Sequence, residues 1–213
     1  MGKVLNITKF YLLLEWVMWL AYINLLWIGS VLIGFIVFGI FPATVAMFTV
    51  IRHLLLKDTT GKQILKTFAL TYKKEFFKSN LIGLIFSLVG YLLYLDFLYI
   101  QNMTGATYYL FQIGLIFISI IYFISLLYIV PVYVHYDLKF NQYFRHALLI
   151  GILSPITTML IVIGLTLLYF LLVLIPGLIP LITTSTFAFI IMGCALIGFR
   201  RLEDKQQSVK STL

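Results

Sequence analysis

Charged residues are scarce in this 213-residue chain: they make up 10% of it, against about 25% in a typical soluble domain. The segment 147–199 contains no Asp, Glu, Lys or Arg, and the segments 16–51 and 97–136 share this absence. A bilayer core about 30 Å thick is crossed by a helix of about 20 apolar residues. A soluble globule is therefore excluded, and the segment 147–199 has room for two crossings separated near 176–180.

Cysteine and the common catalytic motifs are also scarce or absent. Cys194 is the only cysteine, so no internal disulfide can form. The chain contains no Gly-x-x-x-x-Gly-Lys, Gly-x-Ser-x-Gly or His-Glu-x-x-His pattern. His135, Asp137 and His146 lie in one polar segment, but their spacing fits no tight zinc-binding pattern. We therefore expect no enzyme activity, no catalytic residue, no cofactor and no bound metal.

The charge that is present is mostly positive, with a formal net charge of +8. Basic residues are concentrated in 52–78, in the polar loop at 135–150 and after 199, whereas the connectors near 96–107 and 175–180 contain none. Cytoplasmic segments of membrane proteins carry an excess of Lys and Arg. We therefore predict that these three segments, including the C-terminus, face the cytoplasm and attract anionic lipid rather than nucleic acid.

These patterns predict an all-α, polytopic membrane helix bundle in a single domain, 1–213, with about five transmembrane helices and one basic amphipathic interfacial helix. The predicted elements are an interfacial helix at 1–15, spans at 22–38, 80–98, 108–133, 155–175 and 181–199, a short helix at 43–56, an amphipathic cytoplasmic helix at 60–78 and a cytoplasmic tail at 200–213. A tight hairpin in 16–51 is the alternative, which gives six spans and an inside N-terminus. The sequence favours five, because only nine residues separate Pro42 from Arg52.

The segment 16–51 contains a predicted helix break at 39–42. Proline lacks an N–H and clashes with the preceding turn, so a helix starts more readily than it continues there. Unpaired N–H groups of a helix that starts at Ala43 can hold an anionic or hydroxyl-bearing ligand. A purely structural bend is the alternative interpretation. The candidate residues of a functional break are Gly39, Phe41, Pro42, Ala43, Thr44 and Arg52.

Two further groups of charged residues are candidates. Asp96 is the only acid placed within a predicted span, and an intramembrane carboxylate by default suggests a proton, ion or substrate site. An interfacial carboxylate that reaches water is the simpler interpretation. In 60–78 the apolar residues share one helical face and the lysines lie away from it, which is typical of a helix on a membrane surface. The candidate docking or lipid-binding residues are Lys62, Lys66, Lys73, Lys74, Lys78 and Arg145.

Several short motifs, each weak alone, together resemble one family. They lie at 24–27 (Asn-Leu-Leu-Trp), 39–46 (Gly-Ile-Phe-Pro-Ala-Thr-Val-Ala), 71–80 (Thr-Tyr-Lys-Lys-Glu-Phe-Phe-Lys-Ser-Asn), 94–96 (Tyr-Leu-Asp), 131–137 (Pro-Val-Tyr-Val-His-Tyr-Asp), 154–155 (Ser-Pro), 176–177 (Pro-Gly) and 200–203 (Arg-Arg-Leu-Glu), with Arg52 after the second. The set covers nearly the whole chain and resembles the YesL family of bacterial integral membrane proteins, a domain of unknown function found largely in Gram-positive bacteria.

The resemblance implies a role only indirectly, through the genes beside which members of this family are found. These often encode carbohydrate uptake transporters and glycan-degrading enzymes. The resemblance therefore implies an accessory or regulatory component of carbohydrate uptake in the bacterial cell membrane, with transporter permease subunits as partners. A small permease or channel with its site at the break around Pro42 is the alternative.

Overall fold

The computed structural model describes residues 2–56 and 63–211, which are helical almost throughout and contain no strand. The α-helices are α1 (Gly2–Ile33), α2 (Ile40–Leu56), α3 (Ile64–Ile100), α4 (Ala106–His135), α5 (Phe140–Leu153), α6 (Pro155–Leu174) and α7 (Ile179–Ser211). One 3-10 turn, Pro176–Leu178, joins α6 to α7. The predicted all-α helix bundle is confirmed.

Five stretches of the described chain are long and apolar enough to cross a membrane. They are Leu14–Ile33, Ile64–Ile100, Ala106–His135, Pro155–Leu174 and Pro176–Asp204. Large apolar side chains such as Phe117 and Phe170 remain exposed on the outside of these helices. Such a surface suits contact with lipid and not with water. The number of spans agrees with the five predicted from the sequence, and the protein is a multi-pass membrane protein.

The short helix α2 lies at the centre of the bundle. It packs against α1, α3, α4 and α7, and most of its residues between Pro42 and Ile51 are buried. A helix that is apolar on all sides needs neighbours on all sides, and α2 has them. At 17 residues it is shorter than the helices that can span the membrane. It therefore serves as the core around which the spanning helices pack.

The segment 60–78 is not a separate surface helix. The structure describes it from residue 63, and from Ile64 it continues without a break to Ile100 as the 37-residue helix α3. No Gly or Pro lies between Gly61 and Gly83, so nothing in the sequence ends the helix near 78. Ile64 and Phe68, which were expected to face lipid, are buried in the central core. The prediction of a helix is right for residues 64–78, but its apolar face packs against protein.

The break between the first two helices lies at 34–39 and not at 39–42. Because α2 begins at Ile40, Pro42 is its third residue, where a missing N–H breaks no hydrogen bond within the helix. Phe35 and Ile36 have positive φ angles of 54° and 62°. Gly39 permits the reversal, because a Cβ there would lie 2.6 Å from the carbonyl oxygen of Val31. The chain thus turns at two closely packed glycines, Gly34 and Gly39, before α2 starts.

The loop predicted at 135–150 contains a helix, α5. Its buried residues Tyr143, Ala147 and Gly151 lie on the side that faces α4. The helix ends at Leu153, since the following Pro155 disfavours a helical conformation at Ser154 and then begins α6. Arg145 and His146 are therefore helical residues, and not part of an irregular loop.

Candidate functional site

Polar side chains from four helices meet at one end of the bundle. Together they form what we term the polar end: Arg52 of α2, Glu75 of α3, Tyr133 and His135 of α4, Tyr136 just after α4, and Glu203 of α7. These residues are far apart in the sequence, from position 52 to position 203, so the sequence alone does not show that they are neighbours. The chain brings these residues together only because α2, α3, α4 and α7 pack around one core.

His135 links three helices at the polar end. The Nε of Arg52 donates a hydrogen bond of 3.2 Å to Nδ1 of His135, and Nε2 of His135 lies 3.7 Å from Oε1 of Glu203. Since Nδ1 accepts, the remaining proton of a neutral imidazole is on Nε2, the atom that faces Glu203. The imidazole also packs against the ring of Phe199, with 4.7 Å between ring centroids. His135 thus connects α4 to both α2 and α7.

Two tyrosine hydroxyls add further contacts between helices. Tyr133 donates a hydrogen bond of 2.5 Å to the Glu75 carboxylate, and Tyr136 donates one of 3.1 Å to Glu203. Hydrogen bonds to a carboxylate are stronger than those between neutral groups. Burial, together with the nearby charge of Glu203, raises the pKa of Tyr136 above its usual range. The Tyr136 hydroxyl therefore stays protonated and remains a donor at physiological pH.

A cavity of about 320 Å³ opens beside these side chains, and we term it the polar-end cavity. Besides Tyr133, His135, Tyr136 and Tyr143, it is lined by polar side chains of α2 and α3 and by one that follows α4. These are Thr49, Thr71, Lys74, Glu75, Lys78 and Asp137. Ammonium, carboxylate and hydroxyl groups all reach this space. The arrangement can donate and accept hydrogen bonds and can hold an anionic group.

The residues of the predicted functional break serve the packing of α1 against α2. The Ala43 N–H donates to the Gly39 carbonyl at 3.0 Å, so the open donor expected there is already paired. The Thr44 hydroxyl accepts a 3.1 Å hydrogen bond from the Trp27 indole and donates to the Ile40 carbonyl. Pro42 and Ala43 are buried. The expected ligand-binding helix start at Ala43 is therefore absent.

Phe41 and Arg52 complete the set of break candidates, and they lie at the two ends of α2. The Phe41 ring packs directly on Gly83 of α3. Arg52 lies eight residues beyond Thr44, a separation of about 12 Å along a helix, and belongs to the polar end. The structure therefore divides the predicted break into a packing contact and part of a different site.

Asp96 stands apart from both groups. It is exposed on α3, 21 residues after Glu75, which is about 30 Å along a helix. It therefore lies near the opposite end of the bundle from Arg52. The structure does not bring Asp96 together with any other candidate residue that it describes.

The predicted basic surface is exposed where the structure describes it. Four exposed lysines of α3, which we term the lysine row, are Lys66, Lys73, Lys74 and Lys78. Arg145 is exposed on α5, at the edge of an apolar groove between α3, α4 and α5. Lys62 lies outside the described residues. The lysine row and the polar-end cavity share Lys74 and Lys78, so one end of the protein carries both features.

The sequence analysis assigned Arg52 to the break around Pro42, whereas the structure places it at the polar end, most of which was not predicted. Glu75, Tyr133, Tyr136 and Glu203 were not candidates, and His135 was considered only as a zinc ligand, which its spacing did not support. A signal was nevertheless present, because each of them lies in one of the short motifs at 71–80, 131–137 and 200–203. These motifs are far apart in sequence and meet only in the folded bundle.

Comparisons with known proteins place the chain in one family of unknown function. A family profile described as "Protein of unknown function, DUF624" matches residues 20–97. Three proteins of Bacillus subtilis (strain 168) are similar over most of the chain. Uncharacterized protein YesV is 38% identical over 191 residues, covering 89% of this chain and 90% of that protein.

The other two relatives are equally uncharacterised. Uncharacterized protein YteU is 34% identical over 175 residues, covering 82% of this chain and 78% of that protein. Uncharacterized protein YesL is 31% identical over 196 residues and covers 92% of both chains. No solved structure matches the chain.

Proposed function

Because the chain belongs to the YesL-like DUF624 family of membrane proteins of unknown function, we propose that it is a non-enzymatic accessory or regulatory component of carbohydrate uptake in the bacterial cell membrane. The family resemblance supports the link to carbohydrate uptake, and the multi-pass bundle supports the membrane location. In this proposal, permease subunits of a carbohydrate transporter are the partners. The polar end and the C-terminus face the cytoplasm, where segments rich in Lys and Arg are usually retained.

The observation that carries the proposal is the lysine row on α3. Lys66, Lys73, Lys74 and Lys78 are exposed, whereas Ile64 and Phe68 on the same helix are buried. Of these four lysines, only Lys74 makes an ion pair within the described residues. Its ammonium lies 3.8 Å from the Glu75 carboxylate, and its side chain is 82% exposed. An exposed positive surface steers and orients an acidic partner or anionic lipid headgroups.

An exposed aromatic side chain within the lysine row can serve as an anchor for the proposed protein partner. Phe77 is 85% exposed and lies between Lys74 and Lys78 in the sequence. Aromatic residues are enriched at the centres of protein–protein interfaces, and lysines at the rim can orient a charged partner. The surface is also held in place, because Tyr133 of α4 donates a hydrogen bond to Glu75 on the same helix. A docking surface on a fixed helix loses little conformational entropy when a partner binds.

Affinity purification from native membranes tests this proposal. The tagged protein is extracted in mild detergent from cells grown on an inducing glycan, and the proteins that accompany it are quantified by mass spectrometry. We expect stoichiometric recovery of carbohydrate transporter permease subunits. The double variant Lys73→Glu, Lys74→Glu should reduce that recovery at least about tenfold, because it replaces attraction with repulsion at the interface.

Matched controls separate loss of docking from loss of folding. The double variant Lys73→Arg, Lys74→Arg keeps both charges and should retain the permease subunits. Both double variants should give the same size-exclusion profile as the unchanged protein. Recovery of this chain alone, with no permease subunit in any preparation, would contradict the accessory role.

The alternative role of a small permease or channel has weaker support. Its site was expected at the break around Pro42, but Pro42 and Ala43 are buried in the packing of α2. Asp96, the candidate intramembrane carboxylate, is exposed about 30 Å along α3 from the polar end. We therefore retain the accessory role as the proposed function.

A further inference from the structure

We propose that the polar-end cavity binds a small anion that carries hydroxyl groups. The docking role does not require this cavity, although the lysine row shares Lys74 and Lys78 with it. The proposal rests on three observations: the size of the cavity, the cationic groups on one helix, and the acceptor groups on other elements.

The first observation is size. The cavity measures about 320 Å³ and lies at the lower end of the range for small-molecule sites, about 300–1,000 Å³. A ligand of the size of a hexose or a hexose phosphate fits such a volume, whereas a peptide helix does not. The cavity opens at the polar end, beside residues that connect four helices.

The second observation is the pair of lysines on one wall. Lys74 and Lys78 both line the cavity, and they are four residues apart, which places them on the same side of α3. Glu75 lies beside them, and its carboxylate accepts a hydrogen bond from Tyr133 and pairs with Lys74 at 3.8 Å. Lys78 makes no ion pair with any residue in the described part of the chain. This wall can therefore give charge-assisted hydrogen bonds to an anionic group.

The third observation is the set of acceptors on other elements. Asp137, which follows α4, lines the same cavity and makes no hydrogen bond among residues 2–56 and 63–211. The Thr49 hydroxyl of α2 donates to the Val45 carbonyl, so its lone pairs are left to accept. A carboxylate cannot bind an anionic group, but it accepts hydrogen bonds from hydroxyls. A simple anion would thus satisfy only the lysines, whereas a hydroxyl-bearing anion satisfies both sets of groups.

Binding can be measured on the purified full-length protein in nanodiscs of phosphatidylcholine, which is zwitterionic. The probes are glucose 6-phosphate and gluconate, with glucose and inorganic phosphate as ligands that lack one of the two features. A ligand that binds only the folded state raises the unfolding temperature in a concentration-dependent manner. We expect glucose 6-phosphate or gluconate to bind at least about tenfold more tightly than either comparison ligand, because each lost charge-assisted hydrogen bond costs about that factor.

Variants locate the binding. Lys78→Gln and Asp137→Asn should each weaken it at least about tenfold, since each removes one partner group from the cavity. Lys66→Gln and Lys73→Gln are matched controls on the same helix. Neither residue lines the cavity, so both should leave the affinity unchanged. Tight binding that is insensitive to Lys78→Gln and Asp137→Asn would overturn the proposal.

The same chemistry occurs in a lipid headgroup, because phosphatidylglycerol carries a phosphate and two hydroxyls. The experiment is therefore repeated in nanodiscs that contain phosphatidylglycerol. If the probes bind in phosphatidylcholine but not in the presence of phosphatidylglycerol, the lipid headgroup occupies the site. If they bind equally well in both kinds of nanodisc, the site takes a soluble ligand. Both outcomes support a hydroxyl-bearing anion. If neither probe binds in phosphatidylcholine and phosphatidylglycerol raises the unfolding temperature of the wild type and Lys78→Gln equally, the proposal is wrong.

The two proposals fail separately. The nanodisc assay contains no transporter, so an absence of binding there leaves the docking role untouched. Lys73 takes part in the docking surface but not in the cavity. A loss of permease subunits in the single variant Lys73→Glu, with normal probe binding in the same variant, would therefore show that docking does not depend on the cavity.

Discussion

The hydrogen bond between Tyr133 and Glu75 should make a measurable contribution to the stability of the polar end. Substitution of Tyr133 by Phe removes only the hydroxyl that donates to the carboxylate. Hydrogen bonds to charged groups contribute about 1.5–3 kcal/mol to stability. The Glu75 side chain is 16% exposed and lies 3.8 Å from Lys74, so water and the lysine replace part of the lost interaction. We therefore expect a loss of about 1.5 kcal/mol, at the lower end of that range.

A double-mutant cycle isolates this interaction from other effects of the substitution. The free energy of unfolding is measured in mixed micelles for the wild type, Tyr133→Phe, Glu75→Gln and the double variant. The coupling energy between the two side chains should be about 1.5 kcal/mol, which is within the range for residues in direct contact. Tyr169→Phe is a matched control, because Tyr169 is 64% exposed and should change stability little. A coupling energy below about 0.5 kcal/mol would refute the reasoning.

Three further substitutions test the packing that positions the polar end, each by the free energy of unfolding in mixed micelles. Gly39→Ala should cost about 1–3 kcal/mol because its Cβ would meet the backbone of α1. Gly29→Ala should be neutral, because a Cβ at Gly29 would have no atom within 4 Å, and equal effects of the two substitutions would contradict the close turn. Gly83→Ala should cost a similar amount, and Phe41→Leu should relieve part of that loss, since the new methyl would meet the Phe41 ring. Asn24→Ala should cost about 1–3 kcal/mol, because the buried Asn24 side chain donates a hydrogen bond to the Pro180 carbonyl and accepts one from the Ser185 N–H near the start of α7. A neutral result would show that those two groups find other partners.

The spanning helices could be predicted from the sequence because their signal is local. The absence of charge over 147–199 is enough to place two apolar helices, and α6 and α7 occupy that segment. The exposure of Lys66 and Lys73 could also be predicted, because a lysine ammonium is rarely buried without a partner. In both cases the residue types of one segment determine its structure, and no tertiary contact changes that result.

The break and the surface helix were misplaced because local signals compete with packing. Pro42 disfavours a continued helix but is readily accommodated in a first turn, so it marked the start of α2 and not the turn itself. The turn depends on the contact between Gly34 and Gly39, which only the folded backbone reveals. Likewise, Ile64 and Phe68 form an apolar face that suits lipid or protein equally well. The presence of α2 as a neighbour decides between these two environments.

The polar end could not be predicted, because it depends on contacts between distant residues. The pairing of Arg52 with His135 joins residues 83 positions apart, and Glu203 comes from the last helix. No periodicity or motif spacing within one segment carries that information. One indication was available in the sequence: Glu75 and His135 lie within otherwise apolar helices. Buried polar groups are usually paired, so each of these side chains needed a polar partner from another helix.

Photo-crosslinking from position 77 tests the accessory role most directly. Phe77 is replaced by a benzophenone amino acid in cells that express a carbohydrate transporter, and the crosslinked proteins are identified by mass spectrometry. Because Phe77 is 85% exposed within the lysine row, our account predicts a crosslink to a transporter permease subunit. The same probe at Phe170, which is 59% exposed on α6, should give no such product. Crosslinks from position 77 to lipid alone, in cells where the transporter is present and active, would contradict the account.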